Sequence, residues 1–297
     1  MIGITPLAPG DKIGICAPSS YVEKELLNSG ITLLTQWGFE VSIHPQTFAQ
    51  HHQSAGTDKE KLSALHELYK DPEIKAIYAA AGGQRALHLL PQLDLQLIKN
   101  NPKPIIGYSD ITSLLNYIHA QTGIVNWHAP VLKQLSPSIN ATHLQHAISG
   151  SPQSYSWETS SIYQNGCVTA PVIGGNLSVL QAMVGTEYAP KFNDAILMLE
   201  DIGEEYSSLD RTLCHLKHAG IFSALKGLIF GTFSNMMDTG RPFGFSFHDI
   251  ITEHIEGLNI PIAIEAPFGH ADLNYPLPIG HQITFEVNDQ TAELSWS

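Results

Sequence analysis

The stretch that decides the fold is Pro104-Ile105-Ile106-Gly107-Tyr108-Ser109-Asp110-Ile111-Thr112. Its apolar residues predict a strand, and the segment that follows to Thr122 predicts a helix. A serine between them would stand at a sharp strand-to-helix turn, where helix N-terminal amides can stabilise an oxyanion. The alternative is that Ser109 only caps the helix. The local sequence by itself favours that alternative, because Ile111 replaces the second glycine of the strict G-x-S-x-G turn.

Strand-like and helix-like segments alternate on either side of this turn, which predicts βαβ units and a mostly parallel sheet. The composition changes after about Pro130, and residues 134–166 are rich in Ser, Gln, Thr, Asn and His. We predict an α/β domain over 1–133, a linker with short edge strands over 134–166, and a second α/β domain over 167–297.

Composition limits the function classes. The chain has 297 residues, 43% hydrophobic and 14% charged, with a net charge of −13. These values are typical of a globular protein and argue against nucleic acid or an anionic membrane as the main partner. No apolar stretch is long enough for a transmembrane helix, and the first residues lack the pattern of a secretory signal. The three cysteines lack CxxC spacing, so we expect reduced thiols and a cytosolic protein.

Two later segments offer the base and the carboxylate that a serine nucleophile needs. Glu200 ends a strongly apolar run, and His270 lies in a loop after another such run. Glu200 could orient an imidazole, or it could form an ion pair, for example with Arg211. His270 could be the general base, or one structural histidine among 15.

Gly82 and Gly83 follow a strand-like run and could bring a backbone N–H to a developing oxyanion, with the N–H of Asp110 as the second donor. The alternative is a turn that needs positive φ. No G-x-G-x-x-G pattern is present, so no dinucleotide cofactor is predicted. Trp127 could line a binding pocket, although aromatic residues more often pack in a core.

Metal binding is not predicted. The pairs His51-His52 and His215 with His218 lack a third ligand at zinc-like spacing.

Together these segments resemble the LD-carboxypeptidase family of serine peptidases, in order along nearly the whole chain. The matching segments are Pro9–Ile13, Ala17–Ser19, Gly82-Gly83, Gly107–Thr112, His128–Pro130, Gly174–Leu177, Leu199–Ile202, His218–Ile221, Phe268–His270 and Leu277–Gly280.

The resemblance implies the catalytic triad Ser109, Glu200 and His270. It also implies a Rossmann- or flavodoxin-like N-terminal domain, a C-terminal α/β domain with a barrel-like sheet, and an active site in the cleft between them. Family members act without a metal, are usually cytoplasmic and often dimeric, and remove the terminal D-alanine from cell-wall tetrapeptides. A sister branch cleaves a peptide–nucleotide antibiotic and confers self-immunity.

The chain departs from the family beside its glycines. Typical carboxypeptidases carry an arginine before the two glycines, whereas here Ala81 precedes them and Arg85 follows. Arg85 is therefore our candidate for binding the terminal carboxylate of the peptide, with Trp127 as a second substrate-binding candidate. We predict a serine LD-carboxypeptidase that acts on a small muropeptide as a homodimer. The alternatives are an immunity-type hydrolase with the same triad and a catalytically silent peptide-binding protein.

Overall fold

The computed structural model describes residues 4–160 and 162–297. The chain forms two compact units, Met1–Pro152 with Tyr275–Gly280, and Gln153–Asn274 with His281–Ser297. Residues Tyr275–Gly280 therefore belong to the first unit although they lie far from it in the sequence. No local sequence pattern predicts this. The predicted division into a domain over 1–133, a linker over 134–166 and a domain over 167–297 stays a prediction.

The first unit is built on a six-stranded sheet. Its strands are β1 (Lys12–Cys16), β2 (Glu40–Ile43), β3 (Ile74–Ala79), β4 (Ile105–Gly107), β5 (Asn126–His128) and β12 (Leu277–Ile279). The order is β12-β5-β4-β3-β1-β2, and only β12 pairs antiparallel, with β5. The parallel strands thus follow the flavodoxin-like order 2-1-3-4-5, which confirms the predicted parallel α/β sheet.

The described residues of this unit form the helices α1 (Asn28–Gln36), α2 (Asp58–Lys70), α3 (Leu95–Asn100), α4 (Thr112–Thr122) and α5 (Ile139–Ile148). A capping box starts α2, because the Thr57 side chain accepts from the N–H of Glu60 and the Glu60 side chain accepts in return. Helix α5 lies within the segment expected to be a linker. Ser138 caps α5, and one face of the helix is buried. The segment is rich in polar residues, and for this reason the sequence pattern did not predict this amphipathic helix.

The second unit holds an eight-stranded mixed sheet. Its strands are β6 (Gln153–Glu158), β7 (Tyr163–Gln164), β8 (Gly166–Asn176), β9 (Ile196–Ile202), β10 (Gly227–Ser234), β11 (Ile262–Ala263), β13 (Gln282–Asn288) and β14 (Thr291–Trp296). Strands β8 to β11 run parallel, and the others pair antiparallel. The indole N–H of Trp157 on β6 donates to the Ile264 carbonyl at 2.9 Å, so the sheet curves back as a barrel-like sheet does.

The helices of the described part of this unit that pack on its sheet are α6 (Leu177–Met183), α7 (Tyr206–His218) and α8 (Phe247–Ile255). Leu209, Leu213 and Leu216 recur at helical spacing on α7 and are buried against apolar side chains of β9 and β10. This packing keeps β9 in the core, which matters because β9 carries Glu200. Among the described residues, no helix has both the length and the apolarity to cross a membrane.

Candidate active site

Ser109 occupies a strained turn directly beyond β4. Its backbone φ is +64°, in the left-handed region that a non-glycine residue rarely adopts. The turn continues as a 3₁₀ segment, Ser109–Ile111, into α4, and the residues at the N-caps of these helices are Tyr108 and Ile111. Ser109 therefore does not act as the helix cap. A serine held at positive φ between a strand and a helix is the backbone geometry of a nucleophile turn.

The two glycines beyond β3 contact different neighbours. A Cβ added to Gly82 would lie 3.0 Å from the Cβ and 3.3 Å from the Oγ of Ser109. A Cβ on Gly83 would lie 1.9 Å from the Oγ of Ser20, and Gly83 has a φ of +126°. The lack of a side chain at Gly82 therefore lets the backbone approach Ser109. At Gly83, the lack of a side chain allows the positive φ of the turn and leaves room for Ser20.

The Asp110 side chain holds this glycine loop, a role that sequence reasoning missed. Its carboxylate accepts from the backbone N–H of Ala86 at 2.8 Å and from the hydroxyl of Ser19. Asp110 is 6% exposed, and burial raises the pKa of this carboxyl against the lowering effect of those bonds. The residue after Ser109 thus connects the nucleophile turn to the loops that follow β1 and β3.

Glu200 and His270 meet in the second unit. The Nδ1 of His270 lies 2.7 Å from Glu200 Oε2, and the Glu200 side chain is fully buried. Burial raises the pKa of Glu200, and the hydrogen bond from His270 opposes this effect. The alternative partner Arg211 is not what this carboxylate binds. A buried carboxylate on Nδ1 fixes the imidazole so that Nε2 is the atom able to accept a proton.

Gly269 makes the Glu200–His270 contact possible. It has a φ of +121°, and a Cβ there would lie 3.0 Å from the Cβ of Glu200. On the other side of the histidine, Ser234 donates to the His270 carbonyl at 2.8 Å. Neighbouring Asp201 has a different task, since it accepts bonds from Asn176 and Ser178 and fixes the start of α6.

The two substrate-binding candidates differ in exposure. Arg85 has a φ of +82°, and its half-exposed guanidinium donates to Asp58 at 2.8 Å. It lines a cavity of about 580 Å³ in the first unit. Trp127 is 2% exposed and lies on β5 between β4 and β12. Its burial favours the core-packing alternative over a binding role.

Within residues 4–160 and 162–297, no group of three or more His, Cys, Asp or Glu side chains is placed to hold a metal ion. Gln181 lies 3.3 Å from His215, and Cys214 lies 3.7 Å from His218.

Two peptidase domain models match the chain, the LD-carboxypeptidase N-terminal domain over residues 13–129 and the LD-carboxypeptidase C-terminal domain over residues 169–285. The chain belongs to the LD-carboxypeptidase family.

Its relatives are similar over nearly their whole length. The probable murein peptide carboxypeptidase of Bacillus subtilis (strain 168) is 30% identical, over 97% of this chain and 92% of that protein. The crystal structure of muramoyltetrapeptide carboxypeptidase from Oxalobacter formigenes is 27% identical, with a TM-score of 0.87 over 96% of this chain and 98% of that chain. The structure of MccF in complex with glutamyl sulfamoyl guanosine is 26% identical, with a TM-score of 0.88 over 100% and 99%.

Proposed function

We propose that this chain is a serine LD-carboxypeptidase that releases the terminal D-alanine of muropeptide tetrapeptides during peptidoglycan recycling. The observation that carries the proposal is the 2.7 Å contact between His270 and the buried Glu200. A histidine oriented in this way can act as a general base toward a nucleophile that hydrogen-bonds its Nε2. Ser109, at φ +64° beside Gly82, is the nucleophile we assign to it.

In the proposed mechanism, His270 Nε2 removes the Ser109 proton as Oγ attacks the peptide carbonyl carbon. Glu200 stabilises the imidazolium that forms. The backbone N–H groups of Asp110 and of Gly82 or Gly83 stabilise the oxyanion. The C–N bond then breaks, D-alanine leaves with the proton from the imidazolium, and an acyl-enzyme remains on Ser109. Water, deprotonated by His270, hydrolyses this ester and restores the serine.

The proposal requires Ser109 and His270 to meet in a cleft between the domains when substrate is bound. Arg85 is the substrate-binding cation, since its guanidinium is half-exposed at a cavity wall. The cytosolic location and the homodimer rest on the family resemblance. Light scattering of the purified protein measures the oligomeric state.

The second candidate function is the immunity-type hydrolysis of a peptide–nucleotide antibiotic. It is supported by the fold similarity to MccF, which was solved with glutamyl sulfamoyl guanosine. The two functions share the triad and differ in the leaving group.

A paired assay separates the two candidates. The protein is incubated with L-Ala-γ-D-Glu-meso-diaminopimelate-D-Ala and, separately, with glutamyl sulfamoyl guanosine. We expect D-alanine from the first and little cleavage of the second. Cleavage of only the nucleoside compound would favour the immunity-type function, and cleavage of neither by folded protein would favour a silent binding protein.

A further inference from the structure

Lys61 places a cation in the interior of the first unit. It lies near the start of α2 and is 0% exposed. Its Nζ lies 3.0 Å from Asp58 Oδ1, and Asp58 Oδ2 lies 2.8 Å from the half-exposed guanidinium of Arg85. An ammonium group that is removed from water destabilises a fold unless negative charge compensates it. Because Asp58 is shared with Arg85, it compensates Lys61 incompletely.

A second buried carboxylate, that of Asp110, faces the same part of the unit as Lys61. The 3₁₀ segment Ala86–Gln92 contacts both α2 and the turn Ser109–Ile111. Asp110 is 6% exposed and accepts from the N–H of Ala86, the first residue of that segment, at 2.8 Å. Lys61 and Asp110 therefore belong to two elements that pack on one segment, and they carry opposite charges.

The charge of Lys61 favours the ionised form of Asp110. Burial raises the pKa of this carboxyl, whereas hydrogen bonds from Ser19 and Ala86 lower it. The positive charges of Lys61 and His88 lower this pKa further. His88 is exposed, so water and salt screen its charge, whereas the buried charge of Lys61 is screened much less. Lys61 is thus the cation on which the ionisation of Asp110 depends most.

The ionisation of Asp110 matters for the glycine loop. A carboxylate forms stronger hydrogen bonds with the Ala86 N–H and the Ser19 hydroxyl than a neutral carboxyl group does. Ala86 is the residue at which the chain leaves the glycine loop. Since a Cβ on Gly82 would lie 3.0 Å from the Cβ of Ser109, a small shift of this loop would change the backbone beside the proposed nucleophile.

We propose that Lys61 is a positioning residue for the proposed hydrolysis: its buried ammonium group keeps Asp110 ionised, and Asp110 then holds the glycine loop beside Ser109. Lys61 acts through Asp110 and does not touch the substrate. Its loss should therefore change kcat much more than KM. This inference rests on the proposed function and assigns to the reaction a residue that lies outside the triad and the oxyanion site.

A double-mutant cycle in kcat tests the inference. Lys61→Met keeps most of the aliphatic chain and removes the charge. For release of D-alanine, we expect this variant to lower kcat roughly 10-fold and to leave KM within about 2-fold of the wild type. In an Asp110→Asn background, which has no carboxylate to ionise, Lys61→Met should lower kcat by less than about 2-fold.

The same cycle in melting temperature needs no substrate. Without Lys61, the pKa of Asp110 rises further, so a neutral residue at position 110 becomes more favourable. At pH 7, Asp110→Asn should therefore raise the melting temperature by about 2–4 °C more in the Lys61→Met protein than in the wild type. Lys61→Gln, which is neutral and can still hydrogen-bond Asp58, replaces Lys61→Met in both cycles if that variant does not fold.

The matched control is Lys103→Met, at the other end of α2. Lys103 is 5% exposed, and its Nζ donates to the carbonyls of Leu68 and Tyr69 at 2.7 and 2.8 Å. Loss of this lysine should lower the melting temperature and leave kcat unchanged. The effect of Asp110→Asn on melting should be the same in this protein as in the wild type.

The inference and the proposed function fail differently. An equal effect of Asp110→Asn on melting with and without Lys61 would show that Lys61 does not act on Asp110, and would overturn the inference while D-alanine release stands. A roughly 10-fold loss of kcat from Lys61→Met in both backgrounds would overturn it too. If the folded wild type releases no D-alanine, the proposed function fails and the positioning role fails with it, although the melting cycle still measures the link between Lys61 and Asp110.

Discussion

The carboxylate of Asp110 accepts a hydrogen bond from the backbone N–H of Ala86 at 2.8 Å. The residue after the proposed nucleophile therefore anchors the loop that contains Gly82 and Gly83. The Asp110 side chain thus connects the two parts of the proposed oxyanion site, the backbone at Asp110 and the glycine loop. This connection makes the site rigid before substrate binds.

Asp110→Asn should stabilise the protein increasingly as pH rises. Burial raises the pKa of Asp110 in the folded state above its unfolded value. Its contribution to stability is therefore complete below the unfolded pKa of about 3.9 and is lost as pH rises through the folded pKa. Asparagine keeps an acceptor for Ala86 and cannot ionise. Urea denaturation should show the free energy of unfolding of the variant, relative to wild type, rising as the pH increases above the unfolded pKa of about 3.9.

Asp110→Ala is the matched control for this prediction. It leaves the N–H of Ala86 without its acceptor, which costs about 1–3 kcal/mol, and it should lower stability at every pH. A relative free energy for Asp110→Asn that stays constant or falls with pH would contradict the account of Asp110.

Gly82→Ala should impair catalysis more than folding. The new Cβ would lie 3.0 Å from the Cβ of Ser109, so the serine must shift by a few tenths of an ångström. We expect kcat to fall by roughly 10- to 100-fold with little change in melting temperature. Gly83→Ala is the comparison. Its Cβ would clash with Ser20, and the φ of +126° does not suit alanine, so this variant should lower the free energy of unfolding by about 1–3 kcal/mol. Equal kcat for Gly82→Ala and wild type would show that the close approach of Gly82 to Ser109 is not needed for catalysis.

Ser109→Gly should be more stable than Ser109→Ala. At a φ of +64°, an L-residue costs about 1–2 kcal/mol that glycine avoids. In a helix the order is reversed, and glycine costs about 0.5–1 kcal/mol relative to alanine. Ser63, exposed in α2, provides the control pair Ser63→Gly and Ser63→Ala. Chemical denaturation of the four variants should give opposite signs at the two positions, and the same sign at both would mean that Ser109 is not strained.

Glu200→Gln should nearly abolish turnover while the protein stays folded. The amide cannot stabilise an imidazolium and does not enforce the tautomer with a proton on Nδ1, so kcat should fall by roughly 10³- to 10⁴-fold. Asp201→Asn is the control, since Asp201 bonds Asn176 and Ser178 and should change stability more than kcat. Similar kcat losses in both variants would argue that Glu200 has only a structural role.

Local patterns and the order of the family motifs predict part of the fold and of the candidate site. The strand-to-helix turn at Ser109 follows from an apolar run, a glycine and a helix, and the family motifs led to Glu200 and His270, which the structure brings together. Their contact needs Gly269 to approach β9, which no local pattern reveals. The left-handed backbone of Arg85 and the Asp110–Ala86 bond likewise depend on the packing of distant segments. The strand Leu277–Ile279 joins the first sheet through pairing with β5, and such long-range pairing has no local signature.

The role of Ser109 as the nucleophile is tested most directly by the release of D-alanine from L-Ala-γ-D-Glu-meso-diaminopimelate-D-Ala by wild type and by Ser109→Ala. Both proteins are first shown to be folded by circular dichroism. We expect release by the wild type and none above background by the variant, because Ser109 Oγ forms the acyl-enzyme. Equal release by both proteins would contradict the account and reduce Ser109 to a structural residue of the turn.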